Sequence, residues 1–162
     1  MGGAVRVAGN ITPHAEFNIY NDPKAAGIVF SSGAALRLVG LDVTHQTYVS
    51  REQLPWVGSG YTNSRIAAKI LFNWFKTHIN ENRYYLHDPL AIAAAIQSDI
   101  LTYRRAEIGV DTSSLYLRGK TNAIYDTGPV QFATGGNFLS STELILETLQ
   151  ATPQTPTNNA TV

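Results

Sequence analysis

Three polar clusters interrupt an otherwise apolar chain, and each carries groups able to bind a ligand or move a proton. The first is Gly9-Asn10 followed by Ala15-Glu16-Phe17-Asn18. Asn10, Glu16 and Asn18 offer two amides and a carboxylate, with Phe17 between the last two. Carboxylates only accept hydrogen bonds whereas amides donate and accept, a combination suited to a ligand dense in hydroxyls. The same groups serve as caps of turns just before Asp22, and spacing alone favours that plainer role. The second cluster, His87-Asp88-Pro89, sets an imidazole beside a carboxylate. That pair suits proton transfer near neutral pH, or coordination of a hard cation by Asp88. An Asp before Pro is also an ordinary helix start, and a His beside it an ordinary surface residue. The third cluster, Leu41-Asp42-Val43-Thr44-His45, closes an apolar run, and ligands of α/β sheets gather at the carboxyl ends of strands. Asp42 and Thr44 nonetheless read more simply as turn residues. His14, His45, His78 and His87 show no paired spacing of the His-Glu-x-x-His kind, which argues against zinc.

The elements that must hold these clusters alternate in type. Asp22-Pro23 reads as a cap with proline at the first helical position, the helix continuing from Lys24 to Ser31. Ala35 to Val43 is an apolar run suited to a buried strand. Beyond a loop rich in Gly, Ser and Pro, a long helix is expected from about Asn63 or Ser64. It carries Ala67, Ile70, Leu71, Trp74, Phe75 and His78 on one face. A further helix is expected with Asp88 as cap and Pro89 as first residue. Its segment Leu90 to Ile96 is apolar on every side and so should be surrounded by protein. Arg104 to Val110, Leu115 to Lys120 and Val130 to Thr134 look like strands. Ser140-x-x-Glu143 reads as a capping box opening a last helix to about Gln150. Strands interleaved with helices indicate an α/β layered domain over residues 1–150. Residues 151–162, dominated by Pro, Thr and Asn, read as a flexible tail. Asn10-Ile11-Thr12 and Asn159-Ala160-Thr161 match the glycosylation sequon, but with no secretion signal they read as chance.

Composition narrows the classes. With 44% hydrophobic and 15% charged residues the chain can bury a core and is too apolar to be disordered. Twelve basic residues balance twelve acidic ones, so neither nucleic acid nor a membrane surface is implied as a partner. A small uncharged ligand fits better. The absence of cysteine excludes disulfides, thiolate metal sites and cysteine nucleophiles. No apolar run approaches the roughly 20 residues of a membrane helix, and the start lacks a signal-peptide stretch, so a cytoplasmic location is expected.

Taken in order, the motifs resemble those of the inosine–uridine preferring nucleoside hydrolases. They are Met1-Gly2-Gly3, Gly9-Asn10, Pro13, Ala15-Glu16-Phe17-Asn18, Asp22-Pro23 with Ala25-Ala26, Leu41-Asp42-Val43-Thr44 and His87-Asp88-Pro89-Leu90-Ala91. The likeness runs from residue 1 to about 137, with Gly119-Lys120-Thr121 a looser fit to a later Gly-x-Thr element. The resemblance implies cleavage of the N-glycosidic bond of ribonucleosides through an oxocarbenium-like state. It implies that Asn10, Glu16 and Asn18 hold the ribose hydroxyls and hydroxymethyl group, with Phe17 lining the pocket. Asp88 would bind a catalytic calcium (Ca2+) and touch the ribose, and His87 would protonate a departing purine. In that scheme a calcium-bound water, deprotonated by an aspartate, attacks the anomeric carbon.

One departure stands out. The family carries an Asp-x-Asp-x-x-x-Asp-Asp motif after its first strand, supplying the general base and most calcium carboxylates, and this sequence does not contain it. The expectation is therefore the C-terminal half of a Rossmann-like, mostly parallel α/β domain flanked by helices, lacking the N-terminal half and inactive alone. Two rivals are a ribose-binding remnant and a subunit that completes a split enzyme. Full-length members are expected to form dimers or tetramers.

Overall fold

In a computed structural model of the protein, residues 1–57, 62–113 and 115–150 are described. Thirteen α-helices and strands follow one another along the described residues, with a 3-10 turn at Arg51–Gln53. They are α1 (Phe17–Asn21), α2 (Pro23–Ser31), β1 (Arg37–Leu38), α3 (Leu41–Thr44), β2 (Tyr48–Ser50), α4 (Leu54–Val57) and α5 (Thr62–Thr77), then β3 (Arg83–Tyr85), α6 (His87–Ile96), β4 (Leu101–Val110), β5 (Thr121–Tyr125), β6 (Val130–Gly136) and α7 (Phe138–Gln150).

Alternation along the strands decides the layering. Leu38, Val130, Phe132, Ala106 and Ile108 turn one way and pack with Ile19 of α1 and Phe30 of α2. Their neighbours Val39, Ala133 and Leu101 turn the other way and join Leu71 of α5, Leu90 and Ala93 of α6, and Ile145 and Leu146 of α7. Successive side chains of a strand point to opposite faces, so one sheet carries two cores with helices on both sides. This is the α/β layering expected from the sequence. The sheet order is β1-β6-β4-β5, with a separate pair β2-β3. Only β1–β6 is parallel, while β4 pairs antiparallel with both β6 and β5. The sheet is thus mixed rather than mostly parallel, because β4, β5 and β6 follow one another through turns too short for a crossover helix.

Several boundaries differ from expectation. The apolar run Ala35 to Val43 is not one strand. It pairs only at Arg37–Leu38, then turns at Gly40, whose carbonyl accepts from Val43 and Thr44. A Cβ on Gly40 would lie 2.9 Å from the Gly3 carbonyl oxygen, so this close passage of two backbones requires glycine. Leu115 to Lys120 forms a turn with Leu115 and Tyr116 exposed, and the strand lies just beyond it, at Thr121–Tyr125. Helix α5 buries Ser64, Leu71 and Phe75, whereas Ile70 and His78 face outward. Helix α7 starts earlier than the capping box suggested, with Asn137 accepting from Ser140 and Ser141. The proposed tail and the sequon at Asn159 lie outside the described residues.

Helix α6 departs most informatively. Its residues Leu90, Ala93 and Ala94 are buried, but Ile92 and Ile96 are 62% and 78% exposed. With α7 they line an open, almost wholly apolar groove that includes Pro89, Leu144, Ile145 and Leu149. No described helix is long and apolar enough to cross a membrane.

Candidate active site

The segment Met1 to Arg6 crosses the carboxyl end of β1 and is fastened there from three sides. Gly2 N–H donates to the Val39 carbonyl at 3.1 Å, and Leu41 N–H to the Gly3 carbonyl at 2.8 Å. The amides of Val5 and Arg6 donate to the two oxygens of Asp42, at 2.9 and 2.8 Å. From the opposite side Thr121 both accepts from the Ala4 amide and donates to the Ala4 carbonyl, each at 2.9 Å. The Gly-x-Thr element therefore acts as a clamp on this segment. Its Gly119 has φ +74° and passes so close to α1 that a Cβ would sit 2.7 Å from Tyr20 Cα.

Glu16 organises the first cluster. Its side chain is only 1% exposed, and its carboxylate accepts from Gly3 N–H at 3.1 Å, Asn18 N–H at 2.9 Å and Ile19 N–H at 3.2 Å. It caps α1, as the plainer reading of this cluster held, and it also binds the Met1–Arg6 segment to that helix. Asn10 accepts from Phe17 N–H at 2.8 Å, which orients its amide beside the start of α1. Asn18 donates to Met1 Sδ at 3.6 Å, and Asn10, Phe17 and Asn18 are all exposed. Three polar side chains and one aromatic ring thus meet at the start of α1.

The second cluster lies at the start of α6. Leu86, not Asp88, is the helix cap, and Asp88 stands exposed in the first turn. His87 is half-buried. Its Nδ1 lies 2.7 Å from Thr44 Oγ1, and its ring is 5.7 Å from His45 and 5.8 Å from Tyr85. The rings of His45 and Tyr85 lie 5.0 Å apart and complete an aromatic wall. Burial holds the His87 imidazole below its ordinary pKa, helped by the nearby His45 and opposed by the carboxylates of Asp88 and Glu16. His45 is likewise lowered by burial, against the pull of Asp42. A path of hydrogen bonds ties the first two clusters together, far apart though they are in sequence: Glu16 accepts from Gly3, the Gly3 carbonyl accepts from Leu41 of α3, and Thr44 of α3 meets His87.

The third cluster joins them. Asp42 secures the Met1–Arg6 segment and Thr44, two residues on, secures His87. Both were read from sequence as turn residues; they do form the short helix α3, and in addition each grips another element. Tyr85 escaped the sequence reading, although its place two residues before His87 in a run of aromatic residues was a usable signal. Asp88 is the one carboxylate here that the resemblance assigns to calcium. That ion takes about six to eight oxygens. Among the described residues no group of three or more His, Asp or Glu could hold a metal ion, so these residues alone do not fit calcium.

A helix-covered sheet with a polar cluster at the carboxyl end of β1 defines an α/β domain built like those that bind ligands at that edge. The family model for inosine-uridine preferring nucleoside hydrolase matches residues 1–152, and the chain belongs to that family. The pyrimidine-specific ribonucleoside hydrolase RihA of Salmonella newport is 41% identical over 130 residues, which cover 77% of this chain and 42% of that protein. RihA of Citrobacter koseri is 39% identical over the same length. Among solved structures, a plant nucleoside hydrolase superposes with a TM-score of 0.82 at 29% identity, covering 93% of this chain and 52% of its own. The purine-preferring ribonucleoside hydrolase of Gardnerella vaginalis gives 0.75 at 29% identity, covering 93% and 51%. The chain therefore spans about two fifths of the length of the curated relatives it matches.

Proposed function

We propose that this chain supplies the sugar-binding and leaving-group side of a site that hydrolyses the N-glycosidic bond of ribonucleosides. The observation that supports the reading is the hydrogen-bonded path from Glu16 through Gly3 and α3 to His87. Asn10, Glu16, Asn18 and Asp88 hold the ribose hydroxyls, and Phe17 covers the nucleoside. As the C1′–N bond breaks, its electrons pass to the base, and His87 assists that departure with a proton. Water then takes the anomeric carbon and gives up a proton in turn, leaving ribose and free base. The group that activates that water belongs to the aspartate-rich motif, which this sequence does not contain. Hydrolysis therefore needs the remainder of the family fold.

The test is complementation. Alone, the chain should turn over inosine and uridine no faster than buffer. Co-expressed with a segment carrying the aspartate-rich motif of a relative, it should form a complex on a sizing column and gain turnover that Asp88→Ala abolishes. Robust turnover by the chain alone, or a complex that binds nucleoside without cleaving it, contradicts the reading.

A further inference from the structure

We propose that Thr44 is a positioning residue that fixes the resting, neutral form of His87 as its Nε2–H tautomer. When Nδ1 takes up a second proton the Thr44 hydroxyl turns to accept it, and the imidazolium then gives its Nε2 proton to the departing base and returns to a neutral ring. The inference rests on the reading of His87 as the group that assists the base, and it adds the residue that sets which nitrogen carries the hydrogen.

The hydrogen bonds available to Thr44 and His87 decide the tautomer. Thr44 is fully buried, with 0% exposure, in the helical turn α3. Its hydroxyl has one partner among the described residues, Nδ1 of His87 at 2.7 Å. A hydroxyl carries one donor hydrogen and can also accept, whereas a neutral imidazole offers one N–H and one bare nitrogen. If Nδ1 carried the hydrogen, Thr44 would accept it and its own O–H would point at no acceptor in a dry interior. Buried donors are rarely left so, because water is unavailable to take their place. If Thr44 donates to Nδ1, both groups are satisfied, and the ring hydrogen sits on Nε2. That nitrogen has no protein partner among the described residues and remains free to reach a ligand.

The neighbours do not offer Nδ1 an alternative. His45 and Tyr85 stand against the ring at 5.7 and 5.8 Å between centroids, and Asp88 and Glu16 act on it through their charge. None of these forms a hydrogen bond with it. A histidine's tautomer is set by the bond its other nitrogen makes, so the element that sets it here is α3.

The test is nitrogen NMR of the imidazoles in the full 162-residue chain, held near pH 8 where an ordinary imidazole is neutral. The wild-type protein should show a pyridine-like Nδ1 and a pyrrole-like Nε2 for His87. Thr44→Val, nearly the same shape without the hydroxyl, should move both signals towards the average of two exchanging tautomers. Thr44→Ser should restore the wild-type pattern. A wild-type His87 protonated on Nδ1 overturns the proposal, and so does a Thr44→Val spectrum identical to wild type. If Thr44→Val does not fold, the wild-type and Thr44→Ser spectra still decide the matter. These signals need no turnover. A correct tautomer in a chain that never completes a hydrolase would sink the function proposed above and leave this inference standing.

Discussion

Replacing Glu16 should cost stability first and activity second, because its carboxylate is already engaged before any ligand arrives. It accepts from Gly3, Asn18 and Ile19, and two of those amides, Gly3 and Ile19, belong to buried residues. An amide stripped of its partner in a buried place costs about 1–3 kcal/mol. Two of them, one being the Ile19 bond of the helix cap, put Glu16→Ala at about 2–6 kcal/mol, and the remaining cap bond from Asn18 adds at most about 1 kcal/mol. Glu16→Gln keeps one oxygen but sets an NH2 against a backbone N–H. About 2–3 kcal/mol is expected, the worth of one hydrogen bond to a charged group and its replacement by a clash of donors. Against a total stability of about 5–15 kcal/mol these are large fractions. Urea denaturation followed by circular dichroism measures them directly, with an unchanged slope showing that the folded surface is the same. A Glu16→Ala loss below about 1 kcal/mol would mean that the carboxylate serves a ligand rather than the fold, and would refute this account of the site's construction.

Four further outcomes follow from the same geometry. His45 and His87 are both held below the ordinary imidazole value by burial, so the unfolded chain binds protons more readily than the folded one. Stability should therefore be complete above about pH 6.5 and fall as pH drops through the lower folded values, and a urea midpoint that rises on acidification would contradict it. Gly119→Ala should destabilise by about 2–4 kcal/mol, from left-handed backbone and a contact with α1. Gly27→Ala, in α2 with nothing within 4 Å, should stabilise by about 0.5–1 kcal/mol, and thermal melts showing no difference between the two variants would undo both statements. Titration calorimetry of the chain alone with calcium should show no single micromolar site, since one carboxylate leaves most of the shell to water.

The sequence was most legible where local chemistry acts alone. Asp22 caps α2 through Ala25 with Pro23 at its first position, and α5 spans the stretch its periodicity marked. It was less legible where distant segments meet. The break at Gly40 depends on the passage of Gly3 beside it, which no window of neighbouring residues reveals. The apolar sequence Leu90 to Ile96 of α6 pointed to burial on all sides, yet Ile92 and Ile96 are open. The site residues were placed as types, whereas their partnerships were not. Glu16 looked like a ligand carboxylate and proved to be a cap as well, and Thr44 looked like a turn residue and holds His87. A hydroxyl in a short helix gives no sequence signal that it faces an imidazole from another element.

The central claim, that this chain carries the leaving-group side of a nucleoside hydrolase site, is tested most directly by one ratio. In the complemented enzyme, turnover of inosine and of a nitrophenyl riboside should be compared before and after His87→Ala. The first leaving group needs a proton and the second does not, so loss of a general acid should separate them. We expect inosine to slow by about 10²–10⁴-fold, the usual worth of general acid catalysis, and the nitrophenyl riboside to change little. Equal slowing of both substrates, or no slowing of either, would contradict the assignment of His87 and with it the account of this site.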